Sequence, residues 1–231
     1  MDFVGQRATV IGLAREGTAL ARFLAEGGAT VTVSDIKSRE ELSEGIEALV
    51  SLPIRFVLGG HPTEILEADV VFVSPGVPLK VPILAEARKR GIPISSETRL
   101  FAQLCPASIV GITGSSGKTT TTALVGGMLE KAGYRTWVGG NIGQPLIGYL
   151  TDIRSGDKVV MELSSFQLEF FAPWPRERAT RPAASLVLSE IEGMENLAFA
   201  FTGQGWSPTI AAILNITPNH LDRHPTMEAY I

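Results

Sequence analysis

The stretch that most narrows the folds open to this chain is "ASIVGITGSSGKTTTTALVGGMLEKAG", residues 107–133. An apolar run rich in β-branched residues ends at Ile112, a Gly/Ser-rich segment follows, and Lys118-Thr119 opens a helix-period stretch that stops at Gly133. Strand, glycine-rich loop and helix in direct succession suit a layered α/β structure with a parallel sheet. The same succession makes an anion cradle, because loop amides and a helix N-terminus both present N–H groups to phosphate oxygens. Lys118 would reach the outer phosphates as a mobile point charge, and the Thr119 hydroxyl would ligate Mg²⁺. The strict G-x-x-x-x-G-K-[ST] pattern wants glycine where Ile112 stands, since Gly111 lies one place too early. Gly114, Ser115, Ser116, Gly117, Lys118, Thr119 and Thr120 are the ATP-binding candidates.

The rest of the chain repeats that alternation, with Gly, Pro or Asp at the joins. "RATVIGL" (7–13), "GTALARFLAEGG" (17–28) and "ATVTVSD" (29–35) predict a βαβ unit. A helix over "EELSEGIEALVSL" (40–52), strands over "IRFVLGG" (54–60) and "DVVFVSPG" (69–76), a helix over "PILAEARKRG" (82–91) and a strand over "IPISSE" (92–97) extend the same parallel sheet. "TRLFAQLC" leads out, Pro106 breaks the chain, and a domain boundary is placed there, giving 1–105 and 106–231. The second domain continues with strands over "YRTWVGG", "DKVVMELSS" and "TIAAILNIT" and a short helix over "PLIGYLTDI". Between its last two strands, about 170–209, Pro and Trp clusters without a single period read as an insertion.

Composition rules out several function classes. With 45% hydrophobic and 19% charged residues the chain can bury a core. A net charge of −4 and a pI near 5.5 argue against nucleic acid or an acidic membrane surface as partner. No apolar run approaches the roughly 20 residues of a membrane-spanning helix. The N-terminus lacks a secretory layout, and the single Cys105 cannot form an intramolecular disulfide, so a cytoplasmic protein is expected. Cys105 has no companion His motif and is read as a packed thiol.

In the first domain, "GLAREG" places Gly12 and Gly17 in the outer positions of a dinucleotide fingerprint, with Ala14 in the middle. The middle glycine normally lets the backbone approach a pyrophosphate. Asp35, at the end of the second strand, could accept a hydrogen bond from a ribose or a base. The turn serves either a nucleotide or the backbone alone. In the second domain Glu162 ends an apolar strand, where a carboxylate can hold a metal. "NITPNHLDRH" brings Asn215, Asn219, His220, Asp222 and His224 toward the same sheet edge, and His220 can bind a metal as neutral imidazole or lie solvated.

Taken together, "GITGSSGKTT", "GGNIG" (139–143), "ELSSFQLE" (162–169) and "LNITPNHLDRH" (214–224) resemble the ordered motif set of the Mur ligases, and "SFQLE" resembles its D-glutamate-adding branch. "VIGLAREG", "VSD" and "VSPG" extend the resemblance through the first domain. It implies a Rossmann-like first domain holding the UDP of the substrate rather than NAD, and a P-loop-type central domain, incomplete here, holding ATP with Mg²⁺. By resemblance, Arg15 and Glu16 lie in the diphosphate-facing turn, Asp35 and Ile36 border the uracil, and Ser74 and Pro75 sit on the nucleotide's rim. Lys118, Glu162 and His220 become the catalytic set, with Thr119, Glu162 and His220 toward the metal. Asn141, Ser164 and Gln167 fall near the substrate or the metals.

The implied partners are UDP-N-acetylmuramoyl-L-alanine and D-glutamate, acting on a monomer without nucleic acid or membrane insertion. Two departures accompany the matches: Ser115-Ser116 stand where the family has Thr-Asn, and the 170–209 segment exceeds the family's link by roughly thirty residues. Family members also continue past a segment like "HPTMEAYI" to a metal-supporting lysine and an amino-acid-binding third domain. The 231 residues are therefore expected to be an N-terminal portion, inactive alone. A non-catalytic nucleotide-binding module is the alternative, and an NAD-dependent oxidoreductase is disfavoured by Ala14.

Overall fold

The computed structural model describes residues 3–171 and 206–217. The described chain forms two compact units that divide between Leu100 and Phe101.

In the first unit, β1 (Arg7–Ile11), β2 (Thr30–Asp35), β3 (Ile54–Leu58), β4 (Val70–Val73) and β5 (Ile94–Ser95) make a parallel five-stranded sheet in the order β3-β2-β1-β4-β5. A parallel sheet covered on both faces needs unbroken apolar strands, and all four residues of β4 are buried. Helix α1 (Arg15–Glu26) turns Leu20, Ala21, Leu24 and Ala25 inward at helical spacing. Its approach to the sheet depends on Gly17, where a Cβ would lie 1.9 Å from the Gly12 carbonyl oxygen. Register aligns Ile11 with both Ser34 and Val73, so the loops after β1, β2 and β4 open at one edge of the sheet.

Only Ser43–Glu47 of the helix predicted over 40–52 is α-helical (α2). Gly45 weakens a helix interior. It also lies against Leu13, whose Cγ would be 3.1 Å from a Cβ there, and Leu42 and Leu49 anchor the flanking turns in the core. α3 (Pro82–Lys89) starts on a proline, which suits a first helical position. The stretch read as a lead-out is instead a helix, α4 (Glu97–Leu104), which buries Leu100, Phe101 and Leu104.

The second unit has β6 (Ser108–Thr113), β7 (Thr136–Gly140), β8 (Lys158–Glu162) and β9 (Ile210–Ile213) in a parallel sheet ordered β7-β8-β6-β9. α5 (Lys118–Lys131) follows β6 through the glycine loop, a 3₁₀ turn spans Leu146–Tyr149, and the short α6 (Ser165–Leu168) follows β8. Ile109, Ile112, Ile147, Val159, Val160 and Met161 form its core. Ile112 pairs with Glu162 on one side and Ala212 on the other, and Gly140 pairs with Glu162. The register therefore brings the glycine loop, Glu162, Asn141 and Asn215 to one sheet edge.

Candidate functional site

The second unit's site grows from the turn between β6 and α5. Gly117 caps the helix with φ +81°, and Lys118 begins it. The Lys118 ammonium curls back over the loop, donating to the carbonyls of Gly114 at 2.8 Å and Ser115 at 3.4 Å. At the next residue, the Thr119 hydroxyl donates to Glu162 Oε2 at 2.8 Å. Asn141 Nδ2 donates to Glu162 Oε1 at 2.9 Å, and the Asn141 amide donates to the Glu162 carbonyl, also at 2.9 Å. Glu162 is only 2% exposed, so both carboxylate oxygens have exchanged water for fixed protein donors.

This arrangement fits a hard divalent cation. The Thr119 hydroxyl and the Glu162 carboxylate are oxygen ligands of the kind Mg²⁺ takes, and their hydrogen bond brings the two oxygens side by side. Among the described residues no group of three His, Cys, Asp or Glu side chains converges on one point. Such a cation usually takes one or two protein oxygens and fills its shell with water and phosphate. His220 lies outside the described residues, as do Asn219, Asp222, His224 and nearly all of the segment read as an insertion.

Ser164 and Gln167 are brought together, but on each other. Ser164 Oγ accepts the Gln167 amide at 3.3 Å, and Gln167 Oε1 accepts the Ser164 amide at 3.0 Å, a reciprocal cap that starts α6. On the other flank, Asn215 is tied to the glycine loop. Its carbonyl accepts the Ser115 amide and its Oδ1 the Ser116 amide, each at 3.0 Å, while its Nδ2 donates to the Ser116 carbonyl at 3.0 Å. Sequence reasoning placed Asn215 at this edge and gave it no task, because nothing local pairs residues about a hundred positions apart.

In the first unit the loops after β1, β2 and β4 are also tied together. The Ser74 hydroxyl donates to the Gly12 carbonyl at 2.8 Å. Asp35 Oδ2 accepts the Leu13 amide at 2.8 Å and Oδ1 the Lys37 amide at 3.0 Å, so this carboxylate fixes the shape of the crevice from within. Glu16, Asp35 and Ser74 are buried and Pro75 half-buried, whereas Arg15 and the 71%-exposed Ile36 face solvent.

His61 belongs to the same edge and escaped the sequence reading. Ser34 Oγ lies 2.8 Å from its Nδ1 and 3.1 Å from the Gly60 carbonyl, and the Gly60 amide donates to the Asp35 carbonyl at 3.1 Å. Burial holds the imidazole below its ordinary pKa, against the opposing pull of the Asp35 charge. The available signal was "LGGHP", a His just past a predicted strand.

Comparison with known proteins adds a second line of observation. Residues 6–96 match the family description "Mur ligase MurD-like, N-terminal domain", and residues 112–231 match "Mur ligase middle domain". The chain is 42% identical to the UDP-N-acetylmuramoylalanine–D-glutamate ligase of Acidobacterium capsulatum, across 100% of this chain and 43% of that protein. It is equally 42% identical to the ligase of the same name from Koribacter versatilis, across 100% of this chain and 44% of that protein. The chain thus spans less than half the length of these relatives. Among solved structures, it is similar to UDP-N-acetylmuramate:L-alanyl-gamma-D-glutamyl-meso-diaminopimelate ligase from Neisseria meningitides. That match has a TM-score of 0.52 and 20% identity, covers 97% of this chain and 65% of the other, and speaks to the fold alone.

Proposed function

The chain belongs to the Mur ligase family, and from that premise we propose that it comprises the two nucleotide-holding domains of a ligase joining D-glutamate to UDP-N-acetylmuramoyl-L-alanine. In this reading the domain over 1–105 takes the UDP end of the substrate and the domain over 106–231 takes ATP with Mg²⁺. The observation that carries the reading is the line Thr119–Glu162–Asn141 at the mouth of a glycine loop that ends in Lys118. It supports phosphoryl transfer over hydride transfer, because these groups offset phosphate charge.

In the proposed reaction the substrate's L-alanyl carboxylate attacks the γ-phosphorus of ATP, releasing ADP and forming an acyl phosphate. The D-glutamate amine then attacks that carbonyl, phosphate leaves, and the amine's proton passes to solvent or a base. The acceptor carboxylate and the triphosphate repel each other, so the donors of this chain must offset that repulsion as charge shifts. Lys118 would swing from its loop carbonyls to the outer phosphates, and the loop amides would hold them in line. Thr119 and Glu162 would hold Mg²⁺, which would supply charge neutralisation on the phosphate oxygens. His220 is proposed to join the metal side of the site, and Arg15, Glu16, Asp35, Ile36, Ser74 and Pro75 to shape the UDP crevice. Asn141 would keep Glu162 oriented, with Ser164 and Gln167 beside it.

We read the protein as a cytoplasmic monomer. Among the described residues no helix is long and apolar enough to cross a membrane.

Calorimetric titration of the 231-residue chain tests the reading. UDP-N-acetylmuramoyl-L-alanine and MgATP should each bind, NADH should not, and mixing both nucleotides with D-glutamate should release no phosphate. Binding of MgATP without any affinity for the UDP-substrate would point instead to a non-catalytic nucleotide-binding module.

A further inference from the structure

The glycine loop does not stand alone. β9 runs beside β6 with Thr113 opposite Ile213, and the pairing continues past both strands as the Leu214 amide donates to the Thr113 carbonyl at 3.0 Å. Asn215 then meets the loop through its backbone carbonyl, its side-chain oxygen and its side-chain nitrogen at once. Two residues on, Thr217 and Ser115 close a reciprocal pair: the Ser115 hydroxyl donates to the Thr217 carbonyl and accepts the Thr217 amide, both at 2.9 Å. The fit is close, since a Cβ on Gly114 would lie 3.1 Å from both the Asn215 nitrogen and its carbonyl oxygen.

We propose that Asn215 is a positioning residue for the phosphate loop: it holds the amides of Ser115 and Ser116 on its own oxygens and leaves those of Gly117 to Thr120 to receive phosphate. This rests on the reading of the loop as the ATP site.

An amide that donates to Asn215 cannot point at a phosphate at the same time. The donors it leaves are those of the turn into α5 and of the helix's first residues, which lack carbonyl partners within the helix. Holding the loop in one conformation before the nucleotide arrives removes an ordering cost from binding. Asparagine suits the task because one side chain both accepts from the Ser116 amide and donates to the Ser116 carbonyl. Aspartate would face that carbonyl with an oxygen and bring a negative charge toward the triphosphate, and alanine would offer neither group.

The test uses the 231-residue chain, with amide hydrogen exchange read by NMR and calorimetric titration of MgATP and of UDP-N-acetylmuramoyl-L-alanine. In the wild type the Ser115 and Ser116 amides should exchange slowly. MgATP should shift the resonances of 117–120 more than those of 115 and 116. Asn215→Ala removes the side-chain acceptor of the Ser116 amide but keeps the backbone carbonyl that holds Ser115, so it should speed exchange most at Ser116 and weaken MgATP binding about tenfold, the usual net value of a hydrogen-bonded amide. Asn215→Asp should weaken it further, and neither should change affinity for the UDP-substrate.

Near-UV circular dichroism reports whether the variants stay folded, and Ser115→Ala, which removes the ties to Thr217, supplies a gentler variant expected to lose part of the affinity. MgATP binding by a folded Asn215→Ala protein at wild-type strength would overturn the proposal. So would fast exchange at Ser115 and Ser116 in the wild type. A wild-type chain with slow amides but no MgATP affinity would instead refute the ATP reading.

Discussion

The Thr119 hydroxyl meets the Glu162 carboxylate at 2.8 Å, joining the first turn of α5 to the end of β8 across 43 residues of sequence. Because Asn141 holds the other carboxylate oxygen, Glu162 has one orientation, on the metal side of the proposed site. Glu162→Gln keeps the shape and removes the charge. It should weaken MgATP binding by about ten- to a hundredfold, the range for charge-assisted contacts, without lowering UDP-substrate affinity. Equal MgATP affinity in calorimetry would remove Glu162 from the metal side of the site.

Gly140 fixes the approach of the Asn141 loop to β8. Its φ is +97°, and a Cβ there would lie 2.3 Å from the Glu162 carbonyl oxygen. Gly140→Ala should cost about 1–3 kcal/mol of stability or more, as expected for a side chain forced into that backbone region against a close oxygen. A urea denaturation midpoint unchanged from wild type would contradict this.

His61 should make stability depend on pH. Its folded pKa is lowered, chiefly by burial, so the unfolded state takes up the proton first as pH falls through the ordinary value near 6.5. Its contribution is full above that value and is lost as pH drops through the lower folded value, with the Asp35 charge limiting the loss. Melting temperatures recorded from pH 7.5 down to 5.5 should therefore fall less for His61→Gln than for wild type. Identical slopes would exclude His61 as a contributor.

Cys105 should be a slow thiol. Burial raises its pKa above the ordinary value, a backbone hydrogen bond with Ala107 opposes this, and the Asp157 charge adds to the rise. The thiolate is the reactive form. Iodoacetamide at neutral pH should accordingly modify the folded chain much more slowly than the urea-unfolded chain, as read by intact mass, and comparable rates would show the thiol to be activated.

Much of this architecture was legible because it rests on local rules. The run of β-branched residues in "VVFV" announced a strand of the parallel sheet, and the Gly-Lys-Thr join at 117–119 announced a loop entering a helix. The fingerprint positions Gly12 and Gly17 fall at the turn into α1, and the carry-over from motif to residue named Thr119, Glu162 and Asn141, which the fold brings into direct contact.

What stayed hidden depended on partners far away in sequence. Nothing near Asn215 reveals that it will bond to Ser115 and Ser116, and nothing near Asp35 reveals that its oxygens will take the Leu13 and Lys37 amides. The apolar spacing over 40–52 is helical, but Gly45 and the packing against Leu13 limit the helix to Ser43–Glu47. α4 is the opposite case: Pro106 signals a break in the sequence, while the helix before it is held by the burial of Leu100, Phe101 and Leu104.

The central claim is that two units hold two different nucleotides, and calorimetry on two variants tests it most directly. Lys118→Ala removes the loop's cation, and Asp35→Asn turns one acceptor of the Leu13 and Lys37 amides into a donor facing them. Lys118→Ala should abolish MgATP binding and leave UDP-N-acetylmuramoyl-L-alanine affinity intact, while Asp35→Asn should do the reverse. Loss of both ligands in either folded variant, or competition between the two ligands for one site in the wild type, would contradict the account.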